Sequence, residues 1–164
     1  MKLYNRTRIS DDILSALLVK AGKSVGANTS GVVVKVNTGH HYVNGTAWQD
    51  DRVYVGSRWI NTDGGHFRIS LPMPDRIHDA IDRARDFLYV ARHEWGHIRD
   101  YQAGGRRTME FSHRSSGGRR PSHDSRPEEI RAENYIYDSD KRLPIGSFDD
   151  VVLDLAVALE AANQ

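Results

Sequence analysis

His93 and His97 stand four residues apart with Glu94 directly after the first of them. On a helix that spacing stacks the two side chains on one face, with about 6 Å between β-carbons, so both imidazoles can reach one divalent ion. The Glu94 carboxylate is then placed to take a proton from a water that the ion acidifies. The His-Glu-x-x-His pattern therefore points to metal-assisted hydrolysis. Two ordinary surface histidines are the alternative, and the rest of the chain has to distinguish them.

A hydrolytic metal centre needs a third protein ligand and a position left for water. The 164 residues include no cysteine. That excludes thiolate sites, disulfides and thiol nucleophiles, and leaves histidine and carboxylate as ligands. An extended motif with a third histidine fails, because position 100 is Asp and position 103 is Ala. Glu129 and Glu133 form a second pair four apart, in a segment that also reads as a helix. One of these carboxylates can bind the ion while the other, a turn away, hydrogen-bonds a histidine ligand from behind. Glu128 follows Ser125 at capping-box spacing and is expected to fold back onto its own helix N-terminus. Asp100, one turn past His97, is expected to pair with an arginine such as Arg131 or to orient a ligand. Tyr101, Tyr135 and Tyr137, with His113 and His123, are the candidates for stabilising an oxyanion. His40, His41, His66 and His78 carry no pattern and read as structural or exposed.

The elements that must position these residues follow from periodicity. Ser10 with Asp11 and Asp12 reads as a capped helix start, and Ile13, Leu14, Leu17, Leu18 and Ala21 give one apolar stripe over roughly 11–22. Ala21-Gly22-Lys23-Ser24 has the look of a phosphate loop's end, but Leu17 stands where that loop needs glycine. From Gly31 the period becomes two: 32–36, 47–48, 52–55 and 67–71 read as strands. Turn signals separate them at 37–39, 44–45 and 61–65. With no interval between them long enough for a helical crossover, a small, mostly antiparallel sheet is expected. Phe67 to Leu71 is then a candidate sheet edge for an extended peptide. After Pro72-Met73-Pro74 comes a long helical stripe of Ile77, Ile81, Ala84, Leu88, Ala91, Trp95 and Ile98, ended by Ala103-Gly104-Gly105. His93 and His97 lie on its opposite side. Gly96 leaves the backbone bare there, which suits a close approach by the following helix. That helix is expected from near Ser125 to about Asp138, and a last one, capped by Ser147, carries Val152, Leu155, Ala156 and Leu159.

In this order the chain resembles the zincin metallopeptidases of the gluzincin branch, in its minimal single-domain form. His93-Glu94-x-x-His97 matches their first motif, and Glu129-x-x-Ala132-Glu133 matches their glutamate motif with Glu in place of Asp. The resemblance implies a zincin-like α+β fold with His93, His97 and Glu129 as zinc ligands. It makes Glu94 the general base and Glu133 the carboxylate behind a histidine ligand. The Glu-for-Asp change leaves open which carboxylate touches the metal. The segment Arg126 to Asn134 is also similar to the ImmA/IrrE regulatory peptidases.

Length suits one domain over 1–164 with its own core, interrupted by a flexible basic loop at about 105–125. That loop has five arginines against Glu110 and Asp124 but only one aromatic residue, Phe111, among them, which argues against a platform for nucleic-acid bases. The net charge of +1 selects no partner. No signal-peptide or membrane-spanning run is present, so a cytoplasmic protein acting on a protein or peptide is expected. A nucleic-acid-associated or regulatory module with a structural or vestigial zinc is the alternative.

Overall fold

The computed structural model describes residues 1–38, 46–55, 58–73, 79–104 and 125–162. In it the Ser10 hydroxyl accepts from the Asp12 amide and starts the first helix, α1 (Asp11–Ser24). The stripe of Leu14, Leu17, Leu18 and Ala21 is wholly buried. Gly22 is where α1 closes on the core: a β-carbon there would lie 2.6 Å from Thr29 Cγ2 and 3.0 Å from the Trp95 ring. The glycine of the phosphate-loop lookalike thus serves helix packing.

The described strands form one sheet: β1 (Lys2–Asn5), β2 (Val33–Asn37), β3 (Thr46–Val55) and β4 (Arg58–Pro72), in the order β1-β2-β4-β3. β1 and β2 pair in parallel, as do β2 and β4; only β3 runs antiparallel, against β4. The expectation of a mostly antiparallel sheet is therefore corrected. Its error has two sources: β2 pairs with β4 in place of its sequence neighbour β3, and a further strand stands at the N-terminus. Lys2–Asn5 is a four-residue strand whose only inward apolar side chain is Leu3, too short for alternation to register. With β1 present, α1 becomes the crossover that a parallel pair requires.

Phe67 to Leu71 is corrected in the same way. Arg68 and Ile69 pair with Val33 and Val34 on one side and with Trp48 and Ala47 on the other, so this stretch is interior to the sheet. The turn signal at 61–65 also falls inside β4. There the register steps from Asp50 opposite His66 to Arg52 opposite Asn61, so residues 62–65 have only Asp51 facing them. The Gly64-Gly65 pair makes an irregularity in the strand where a connection was expected.

One face of the sheet, through Val34, Val36, Ile69 and Leu71, joins a core shared with four helices. α2 (Ala80–Gly104) runs through its centre and buries Ala84, Leu88, Ala91, Trp95 and Ile98 as the stripe predicts. Phe87 joins them, whereas Ile81 is largely exposed; Ile77 lies outside the described residues. α3 (Pro127–Arg142) and α4 (Asp149–Ala161) complete the fold, which is α+β. α4 buries Val152, Leu155, Ala156 and Leu159 as expected. Ser147 does not cap it: the capping position is Phe148, and the Ser147 hydroxyl donates to the Pro144 carbonyl instead. The loop expected at 105–125 lies, apart from Ser125, outside the described residues, as do His40, His41, His78, His113 and His123. No helix among the described residues is long and apolar enough to cross a membrane.

Candidate metal centre

Four-residue spacing puts Tyr89, His93, His97 and Tyr101 on one face of α2. α3 covers that face, running antiparallel, and three contacts along its length hold it there. Near one end the Arg92 guanidinium donates to Asp140 at 2.6 Å and to the Ile136 carbonyl at 3.4 Å. Near the other, Asp100 accepts from Arg131 Nε at 2.7 Å and from the Tyr135 hydroxyl at 2.6 Å. The expected Asp100–Arg131 pair is thus present, and it works as a tie between helices.

Between these ties the backbones nearly touch. A β-carbon on Gly96 would meet Ala132 Cα at 3.0 Å and its Cβ at 3.1 Å. Backbone cannot yield as the end of a flexible side chain can, so Gly96 sets the separation of α2 and α3. Ala132 sits between Glu129 and Glu133, and that separation therefore fixes how far both carboxylates reach. Gly96→Ala should cost about 1–3 kcal/mol as an overpacked contact. It should also weaken metal binding by about tenfold or more by backing α3 away. Thermal melting and chelator competition on the purified variant measure the two effects; unchanged metal affinity would mean that α3 does not need this contact to present Glu129.

The three donors converge as the contacts require. His93 Nε2 and His97 Nε2 are 3.1 Å apart, and Glu129 Oε2 is 2.9 Å from the first and 3.1 Å from the second. These are close enough to hold one metal ion, and among the described residues they form the one cluster of this kind. Two imidazole nitrogens and a carboxylate oxygen turned toward one point suit a divalent cation chemically. Glu133 does not join them. Its Oε1 lies 2.8 Å from His93 Nδ1, the opposite nitrogen of the same ring. An Nδ1–H donating to Glu133 leaves Nε2 with its lone pair toward Glu129 and His97, the tautomer a metal needs. Between the two carboxylates left open by the sequence, Glu129 is in the cluster and Glu133 is behind it.

Electrostatics favour a cation here. Burial lowers the pKa of His93, but Glu129, Glu94 and Glu133 outweigh it and the net shift is upward. Glu94 is almost fully buried on the same helix, and its charge acts on both His93 and Tyr101. Burial, followed by the charges of Glu94, Glu129, Glu128 and Asp100, pushes the Tyr101 phenol far up, so it stays a neutral donor beside these carboxylates. Of the other tyrosines proposed for an oxyanion, Tyr135 donates to Asp100, and Tyr137 is exposed beneath the Lys141 ammonium.

Glu128 departs from expectation. α3 begins at Pro127, and its capping residue, Arg126, makes no side-chain capping bond. Proline fits the first helical position because its missing N–H would have no partner there, and this moves the helix start away from Ser125. The capping box is therefore not formed. Glu128 is instead buried, and its Oε2 has no hydrogen-bond partner among the described residues.

Comparison with known proteins returned no matching family model, no matching curated protein and no matching solved structure.

Proposed function

We propose that this chain is a zinc-dependent peptidase of the kind its motifs resemble, with His93, His97 and Glu129 as ligands and Glu94 as general base. The observation that carries the proposal is the convergence of two imidazole nitrogens and one carboxylate oxygen at 2.9–3.1 Å, with a buried glutamate beside them. Ligand atoms on a tetrahedral zinc, at about 2.0–2.2 Å from it, stand roughly 3.3 Å from one another. The three donors are thus near the required spacing before any adjustment, and their types are those of a catalytic rather than a structural zinc.

Zinc, when bound, lowers the pKa of water toward neutrality and polarises a carbonyl. The chain's own part is proton transfer and orientation. Glu94 takes the proton of the attacking water and delivers it to the amine leaving group, so the peptide bond breaks without a charged amide anion. Its burial shields that proton from bulk solvent. Glu133 keeps the His93 ring in the tautomer that leaves Nε2 free of a proton. The substrate class is a protein or peptide.

The test is metal analysis of the purified protein combined with hydrolysis of a mixed peptide library. About one zinc per chain, with cleavage abolished by a chelator and restored by zinc, is the expected result. A protein that takes up no zinc, or that holds it with no peptide cleaved, would overturn the proposal.

A further inference from the structure

Glu133 stands where the resembled pattern has aspartate, and its side chain has one more rotatable bond. A carboxylate that must hold an imidazole at one angle is a poorer guide with each free torsion, and the Glu133 side chain is 46% exposed. Yet both of its oxygens are engaged. Oε1 lies against His93 Nδ1 at 2.8 Å, and Oε2 accepts from the Tyr89 hydroxyl at 2.6 Å. Tyr89 is one helical turn before His93, so both partners of Glu133 come from one rigid face of α2. The Tyr89 phenol is pushed up to about 12 by burial and by Glu133, and it therefore remains a donor through the neutral range.

Nothing in the packing asks for tyrosine at this position. The residue is 48% exposed and is not part of the core. What its side chain contributes to the site is the hydroxyl. The geometry points to Tyr89 as a positioning residue: through Glu133 it fixes the His93 ring with Nε2 turned toward His97 and Glu129. It compensates for the longer carboxylate by pinning the oxygen that the histidine does not use. The purpose of this arrangement rests on the peptidase proposal; the contact itself can be read without metal.

Tyr89→Phe removes one oxygen from a half-exposed side chain and keeps the ring, so folding should be preserved. Two readouts are expected to change. In metal-free protein, the exchange-protected His93 Nδ1–H resonance in ¹⁵N-edited spectra should broaden or disappear. In zinc-loaded protein, affinity measured by chelator competition should fall roughly threefold to tenfold, less than for loss of the carboxylate itself. In a Glu133→Ala background, Tyr89→Phe should alter neither readout, because the link between the two rings is already gone. An unchanged ring-proton signal and affinity in Tyr89→Phe would overturn the inference, as would an equal loss in the Glu133→Ala background. If the unaltered protein takes up no zinc, the peptidase proposal fails, while the metal-free spectra still decide whether Tyr89 fixes His93.

Discussion

Glu94→Gln is expected to leave zinc content at about one per chain while peptide hydrolysis falls by roughly 10²–10⁴-fold, the usual worth of a positioned general base. The two effects separate because Glu94 is not among the three converging donors. Glutamine has the same shape and fills the same buried position, but its amide cannot take a proton from water. Metal affinity should drop only slightly, through loss of a negative charge that acts on His93. The loss should fall on kcat with little change in KM, as for a group whose role arises only in the transition state. Metal analysis and steady-state kinetics on the same preparation check both halves. A variant that retains substantial hydrolysis would remove Glu94 from the chemistry; one that loses its metal would make Glu94 a ligand.

The site was more legible in the sequence than the sheet, for a physical reason. Helical periodicity repeats over many turns, so the five apolar stripe positions from Ala84 to Ile98 set the inward side of α2 and, by exclusion, the side of His93 and His97. The pairing of Asp100 with Arg131 and the close approach at Gly96 follow from the same geometry, since both concern residues on the face that α3 must cover. Strand pairing is decided by contacts between distant segments, and the alternation within a strand is silent on direction. Lys2–Asn5 is too short to announce itself, and nothing in the alternation shows that β2 pairs in parallel with β4 instead of antiparallel with its sequence neighbour β3. Glu128 failed for a local reason: Pro127 competes with Ser125 for the start of α3, and the spacing of Ser125 and Glu128 does not show which prevails.

Tyr89 was missed for a different reason. It lies outside both motifs, and a tyrosine at a half-exposed helical position has no signature. Only the register of α3 on α2 brings Glu133 within reach of it. A spacing rule was available, since Tyr89, His93, His97 and Tyr101 are each four apart. It becomes informative once the second carboxylate of α3 is known to face that row.

Replacing His97 by alanine is expected to abolish stoichiometric zinc. Apparent zinc-site free energies of about 10–16 kcal/mol, divided among the ligands, assign each roughly 3 kcal/mol or more, so one missing imidazole should raise the dissociation constant by about a hundredfold or more. The deletion also leaves the Glu129 carboxylate buried beside one histidine instead of two. Distance from the ion then orders the other variants. Glu133→Ala touches the ion only through His93 and should cost about 10–100-fold. Tyr89→Phe acts through Glu133 and should cost less again. Such a graded series is what a single ion bound at His93 Nε2, His97 Nε2 and Glu129 Oε2 requires, because each step outward adds a hydrogen bond through which the effect must pass. Surface histidines that bound zinc adventitiously would show no such order, since Glu133 and Tyr89 would have no ring orientation to protect. Chelator competition across the three variants measures the series. Full zinc content at unaltered affinity in His97→Ala would remove His97 from the site and with it the assignment of all three donors.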